Sequence, residues 1–305
     1  MSAIVKIKTR RRRIGPGRLT FSIVNYSFLA IVAFLCIVPM IHVLAVSFSG
    51  AAHAASGQVG LWPADFNITA YQYIISKPEF GRATWISVQR TVIGTLMSTF
   101  LTVLSAYPLS KEKSQFRART PFVWIFYFTT MFSGGLIPTY LVIKELGMMD
   151  TIWALNVPGA VAVGNIVLVL NFFRRLPKEI EEAAFIDGAS HWRILVQIVI
   201  PISKAVIATV VLFVMVSQWN EWFFGRIYML RPANYPLQSY LRGLIAPDAR
   251  GLELMTLEEQ QLYFNVNSEN SKAAQIFVAA FPIVITYPFL QKYFAKGIVI
   301  GSVKG

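Results

Sequence analysis

The chain has 305 residues, 55% hydrophobic and 14% charged, with a formal net charge of +13 and a mean hydropathy of +0.54. Soluble domains usually carry about 25% charge, so an ordinary water-soluble globule is excluded. The single cysteine, Cys36, excludes a disulfide framework and a cysteine metal cluster, and His42, His53 and His191 are scattered without ligand spacing.

The positive charge begins the chain. Lys6, Lys8, Arg10 to Arg13 and Arg18 form a basic arm, residues 1–20, directly before an apolar run. That placement reads as a cytoplasmic membrane flank rather than a nucleic-acid groove. A secretory signal peptide is the competing reading, with Ala-Ala-His-Ala-Ala at 51–55 mimicking a cleavage site. The apolar run from Phe21 to Phe48 is much longer than a signal core, which favours a span.

Six apolar windows follow in order, at about 21–48, 91–110, 120–143, 151–173, 205–220 and 273–291. A helix rises 1.5 Å per residue, so about 20 residues cross the hydrocarbon. The fifth window is short, and extends through Phe224 if Glu221 sits at an interface or faces the protein interior. The expected fold is an all-α polytopic membrane protein with six transmembrane helices over residues 21–295. With the N-terminus cytoplasmic, seven Lys or Arg lie before the first span, four at 111–119, five at 174–204 and three from Lys292 onward, 19 of 28 in all. The excess of Lys and Arg on that side puts both termini, including the tail 296–305, in the cytoplasm. External segments are expected at 49–90 and 225–272. The second is nearly fifty residues long, which reads either as a functional loop reaching a soluble partner or covering a pore mouth, or as a solvated cap.

The cytoplasmic segment 174–200 is the most informative. It lies within FRRLPKEIEEAAFIDGASHWRILVQIVIPIS, Phe173 to Ser203. Pro177 suits a first helical turn, Glu179, Glu181 and Glu182 sit at the positive end of a helix, and Ala183 and Ala184 are good helix formers. Gly188 ends or bends that helix. Pro201 then opens the next span. The pattern predicts a short helix parallel to the membrane, with small residues for close docking and acids for a basic cleft. Composition alone leaves an ordinary interfacial linker equally open.

The spacing separates the two readings. Glu182-Ala183-Ala184, three residues, Gly188, nine residues, then Ile198-Val199-Ile200-Pro201 resembles the EAA loop of permease subunits in ATP-binding-cassette (ABC) importers. Ile200 departs from the usual Leu, a volume-conserving change. Further phrases are Ser133 to Tyr140 (SGGLIPTY), Leu176-Pro177, Ile186-Asp187-Gly188-Ala189, Trp219-Asn220-Glu221-Trp222, Gln291 to Phe294 and Gly301 to Gly305. With these the chain resembles maltose-type carbohydrate importer permeases, in the MalG/LplC-like branch of the binding-protein-dependent transport inner-membrane component family. The resemblance implies an ABC importer permease fold of the maltose type in a bacterial cytoplasmic (inner) membrane. It implies a coupling helix at Glu182, Ala183, Ala184, Asp187 and Gly188 that docks on an ATPase subunit, with Lys304 and Gly305 as a secondary tail contact. Its implied partners are a second homologous permease, two ATP-binding subunits, an extracytoplasmic solute-binding protein and an oligosaccharide substrate, with the lipid membrane around them and no nucleic acid.

No G-x-x-x-x-G-K-[ST] loop and no H-E-x-x-H motif occurs in the chain. Hydrolysis, with ATP and Mg, is therefore expected on partner subunits, and no cofactor or metal is expected here. For a pathway, Gln218, Trp219, Asn220 and Glu221 form the most polar point of an apolar helix. They read equally as pore lining or as helix–helix bonding near an interfacial turn. Trp124 and Tyr127 read as sugar-stacking rings or as helix packing. The competing functions are an importer of another solute, such as an amino acid, peptide or phosphate, and a non-transporting membrane scaffold for an ATPase.

Overall fold

A bilayer core offers no water to peptide groups, so apolar segments satisfy their own backbone as helices. The computed structural model describes residues 16–245 and 269–302, and its regular elements are helical. The basic arm to residue 15, the 246–268 part of the second external segment, and the tail residues Lys304 and Gly305 lie outside the described residues. The chain divides into two compact units, residues 1–68 with 268–274, and residues 69–267 with 275–305.

In the first unit, α1 (Pro16–Ser47) is 32 residues long. Its side chains from Leu19 to Ile41 are largely exposed, as a lipid-facing span requires, and burial begins at Ala45. There the chain is tied down by polar bonds. Ser49 Oγ donates to the Ala45 carbonyl at 2.7 Å and accepts from the Ala64 amide at 3.0 Å. The Gly60 carbonyl accepts from His42 Nδ1 at 2.9 Å, and the Phe48 and Phe66 rings stack at 5.5 Å. A one-turn helix, α2 (Ala51–Ala55), lies within this segment. Asn270 Nδ2 donates to the Ser49 carbonyl at 3.1 Å.

The second unit starts with α3 (Thr69–Ser76) and α4 (Pro78–Ser110). Pro78 stands at the first position of α4 and Glu79 in its first turn, both favourable at a helix start. The buried face of α4 carries Ser87, Arg90, Gly94, Ser98, Thr102 and Ala106, steps of three or four residues. Small side chains at that spacing let helix backbones approach closely inside a membrane. Against α4 pack α8 (Val163–Phe173) and α12 (Lys204–Asn220). Val103, Ala106 and Leu109 meet Ile166, Val169 and Phe173 of α8 and Val210 and Val214 of α12 in the main core.

Between them run α5 (Arg119–Met131), α6 (Leu136–Glu145) and α7 (Ile152–Asn156). After α8 come α9 (Lys178–Ile186), α10 (His191–Ile194), a π-helical turn (Leu195–Val199) and α11 (Ile200–Ile202). Beyond α12 lie α13 (Phe223–Tyr228), a 3-10 turn (Pro232–Asn234), α14 (Leu237–Ile245) and α15 (Glu269–Ser302).

The six expected spans are not six separate long helices. Among the described residues two, α1 and α4, are long and apolar enough to cross a membrane, or up to four if each of two bent pairs is one span. The physical causes are local. Window 120–143 breaks between α5 and α6, bent by 117°, where Gly135 takes φ +84°. Window 151–173 breaks at Pro158 and Gly159 into a one-turn helix and the 11-residue α8. The segment His191–Ile202 meets α12 at 83°, just past Pro201. Window 91–110, by contrast, is only the second half of α4, which starts 13 residues earlier and takes in Arg82 and Arg90. Arg90 is therefore inside the protein, not on an external flank.

Candidate functional site

Two places bring the predicted residues together. The first is α9. Pro177 stands just before it, in extended backbone, instead of inside the first turn. Glu179 and Glu181 occupy the first turn, where the helix dipole favours acids. At the other end the Gly188 amide donates to the Phe185 carbonyl at 3.0 Å and the Ala189 amide to the Ala184 carbonyl at 2.9 Å. Gly188 closes this turn at φ +76°, a left-handed conformation that favours glycine. Ala184 is the buried side chain of α9; Glu182, Ala183, Asp187 and Gly188 are exposed, and so is Ile186, at 87%. An exposed isoleucine beside acids is a surface suited to another molecule, and the sequence reading missed it.

Ion pairs join α9 to the segment after α4. Lys111 pairs with Glu181 and Lys178 with Glu112. The Lys178 ammonium holds the Glu112 carboxyl below its ordinary range, and Glu112 raises Lys178 in return.

The second place lies where α4 meets the end of α12. Arg90 Nη2 is 2.8 Å from Glu221 Oε2, Nη1 donates to the Glu221 carbonyl at 2.9 Å, and Nε donates to Gln218 Oε1 at 3.2 Å. The Arg90 side chain is 3% exposed and that of Glu221 21%. Glu221 also accepts from the Phe224 amide at 2.8 Å through Oε1, starting α13. A Cβ at Gly94 would stand 2.6 Å from Asn156 Oδ1 and 2.7 Å from Gln218 Nε2, so glycine is what lets these side chains meet α4. Asn156 is fully buried. A cavity of about 250 Å³ borders this cluster, lined by Arg90, Gln218, Glu221, Phe224 and Tyr228 among others.

The remaining pathway residues go elsewhere. Trp219 is buried, and its Nε1 donates to the Ala279 carbonyl at 2.8 Å, so its ring is occupied in packing. Asn220 is exposed. Trp124 and Tyr127 are exposed on α5, edge to face at 5.7 Å. Among the described residues no group of three or more His, Cys, Asp or Glu is placed to hold a metal ion. Arg90 and Asn156 were missed because each is ambiguous alone. The available signal was the helical phase of Arg90 with Gly94, Ser98 and Thr102.

The comparisons with known proteins agree over most of the chain. Protein LplC of Bacillus subtilis (strain 168) is 40% identical over 290 residues, 95% of this chain and 96% of that protein. The polygalacturonan/rhamnogalacturonan transport system permease protein YtcP of the same organism is 39% identical over 285 residues, 93% and 98% of the two chains. The chain belongs to the ABC-importer permeases. Within them it stands in the carbohydrate-transport branch with LplC and YtcP. No family model matches this permease. A solved structure of a bacterial ABC transporter involved in the import of the acidic polysaccharide alginate superposes with a TM-score of 0.79 at 32% identity, covering 92% of the permease and 98% of that chain. The permease fold is thus an all-α, polytopic, membrane-embedded one, and its α9 corresponds to the EAA stretch of the sequence.

Proposed function

We propose that this permease forms half of a translocation pathway for oligosaccharides, delivered by an extracytoplasmic solute-binding protein and driven by ATP hydrolysis on two partner subunits. The observation that carries the reading is α9, a short helix with one buried side chain, closed by a left-handed glycine and presenting Glu182, Asp187 and Ile186 outward. In this reading Glu182, Ala183, Ala184, Asp187 and Gly188 dock on an ATPase, with Lys304 and Gly305 as a tail contact. The chain crosses the membrane six times with both termini cytoplasmic. Supporting six passes, α15 is 34 residues long and α8 carries no charged residue. The other half of the pathway is a second, homologous permease, and the segment 225–272 meets the solute-binding protein.

Transport requires two states of the spans, each favoured by a different ligand condition. ATP-driven closure of the ATPase pair displaces α9 and shifts access from the cytoplasm to the outside; loss of the hydrolysis products lets the assembly return. Gln218, Asn220 and Glu221, with Trp124 and Tyr127, supply polar and aromatic contacts along the way. A carbohydrate is favoured over other solutes because relatives named for a substrate, YtcP and the alginate transporter among them, handle carbohydrates.

The test is purification from native membrane in mild detergent, with mass spectrometry of the accompanying chains, followed by ATP-dependent uptake in vesicles. A second permease, an ATPase and sugar uptake are expected. Reproducible isolation alone, under conditions that preserve a known importer, overturns the proposal.

A further inference from the structure

α9 is attached to the protein in an unusual way. Ala184 is its buried side chain, and the Phe185 ring meets His191 edge to face at 4.9 Å. Beside it is an open cavity of about 400 Å³, lined by Lys111, Arg119, Arg174, Glu181 and Phe185 among others. Close packing transmits displacement, and an empty volume does not. Along this side of α9 the solid links are the two ion pairs. Lys178 and Glu112 are 72% and 62% exposed, so water weakens that pair. Lys111 and Glu181 are only 10% and 18% exposed, and both Glu181 oxygens lie within reach of Lys111 Nζ. Lys111 is further held over the Tyr107 ring, 4.1 Å from its centroid.

The end of α4 that Lys111 caps is itself fixed. Arg119 Nε and Arg174 Nη2 donate to the Leu109 carbonyl at 3.1 and 3.4 Å. From Lys111, α4 runs back past Pro108 to Arg90, about 30 Å at 1.5 Å per residue. There Arg90 grips Glu221 and Gln218 of α12. Coupling between distant places travels through such contiguous contacts, provided they join elements with two arrangements.

We infer that Lys111 and Glu181 are positioning residues that form a strut, passing displacement of α9 into α4 and so to the Arg90 cluster. The inference rests on the reading of α9 as the ATPase-docking helix. Ala184 serves as the pivot, since a buried methyl allows rotation that a bidentate charge contact resists. Pushing on α9 without the strut turns the helix over the cavity and leaves α4 where it is.

The experiment uses the complete importer in nanodiscs, comparing wild type, Lys111→Glu, Glu181→Lys, the exchanged pair Lys111→Glu with Glu181→Lys, and Lys111→Arg. Three quantities are read: ATPase co-purification, the ratio of ATP turnover with and without solute-binding protein, and hydrogen exchange of the α9 amides. Each single reversal is expected to keep the ATPase bound, to speed α9 exchange, and to cut the stimulation ratio by about fivefold or more, the low end of coupling between sites. The exchanged pair and Lys111→Arg are expected to restore both readouts, which a merely structural loss would not do. Unchanged α9 exchange in the single variants, or an exchanged pair no better than either single, overturns the strut. Exchange that responds as expected in a wild-type complex that holds no ATPase overturns the docking reading, and the strut's role with it.

Discussion

Replacing Arg90 with methionine keeps most of the side-chain volume and removes the charge, which isolates the electrostatic part of the α4–α12 contact. In the wild type Arg90 is 3% exposed and spends its fork on the Glu221 carboxylate, the Glu221 carbonyl and Gln218. The substitution leaves Glu221 without its counter-charge. Breaking a buried pair by removing one partner costs ~3–5 kcal/mol. Glu221 keeps 21% exposure and its bond from the Phe224 amide, which puts the loss near the lower bound. A loss of ~3 kcal/mol is a factor of about 150 in the folding equilibrium. If Arg90 acted only as a donor of hydrogen bonds between helices, each would contribute ~0.6 kcal/mol inside a membrane. Unfolding by SDS in mixed micelles, followed through tryptophan fluorescence, measures the difference. The decisive comparison is Arg90→Met with Glu221→Gln, which is expected to recover most of the loss because a neutral amide needs no counter-charge. A double variant as unstable as the single, or a single variant losing less than ~1 kcal/mol, refutes the reasoning.

Other expectations follow from single features. Gly94→Leu drives a side chain into Asn156 and Gln218, and overpacking of ~1–3 kcal/mol is expected in the same unfolding assay; a wild-type curve would show that both neighbours can move aside. Gly188→Asp meets open space, so only the left-handed backbone is strained, by ~1–2 kcal/mol. That variant is expected to insert normally and to lose ATPase coupling, and normal coupled transport would reject the docking role. Glu182→Lys, on the exposed side of α9, is expected to lower ATPase retention on purification without affecting thermal unfolding; retention equal to wild type removes Glu182 from the docking surface. Burial pushes the Asp150 carboxyl up, but bonds from the Asn234 side chain and the Arg231 and Leu230 amides, with the Arg231 charge, outweigh it and leave it below its ordinary value of 3.8. Its contribution is therefore present above that value and lost as pH falls through the folded pKa, so amide protection at 229–234 should fall on acidification below about 3.8 in wild type and stay flat in Asp150→Asn.

The local half of this protein is legible in its sequence. Apolar composition sets α1, and the charge-free run 205–220, between Lys204 and Glu221, sets α12 to within a residue or two. For α9 the acids, alanines and glycine each act on their own turn, so helix, polarity and stop all follow from neighbours. The spacing of that stretch also pointed to the importer permeases before any fold was known. These are properties of hydropathy, dipole and φ preference, which depend on residues a turn or two apart.

What the sequence left open needed partners far along the chain. Arg90 looked like a flank because nothing nearby says that Glu221, 131 positions later, will meet it. Lys111 and Glu181 lie 70 positions apart; alone, Lys111 reads as a cytoplasmic loop charge and Glu181 as an acid at a helix start. The breaks in windows 120–143 and 151–173 were hidden as well, because hydropathy averages over a bend and carries no record of chain direction. The sequence by itself determined that the protein is helical, membrane-embedded and carries a short polar helix closed by glycine. The tertiary structure alone decided which charges are shielded together, since the pairing of two distant ions depends on where packed helices bring them and how little water remains there.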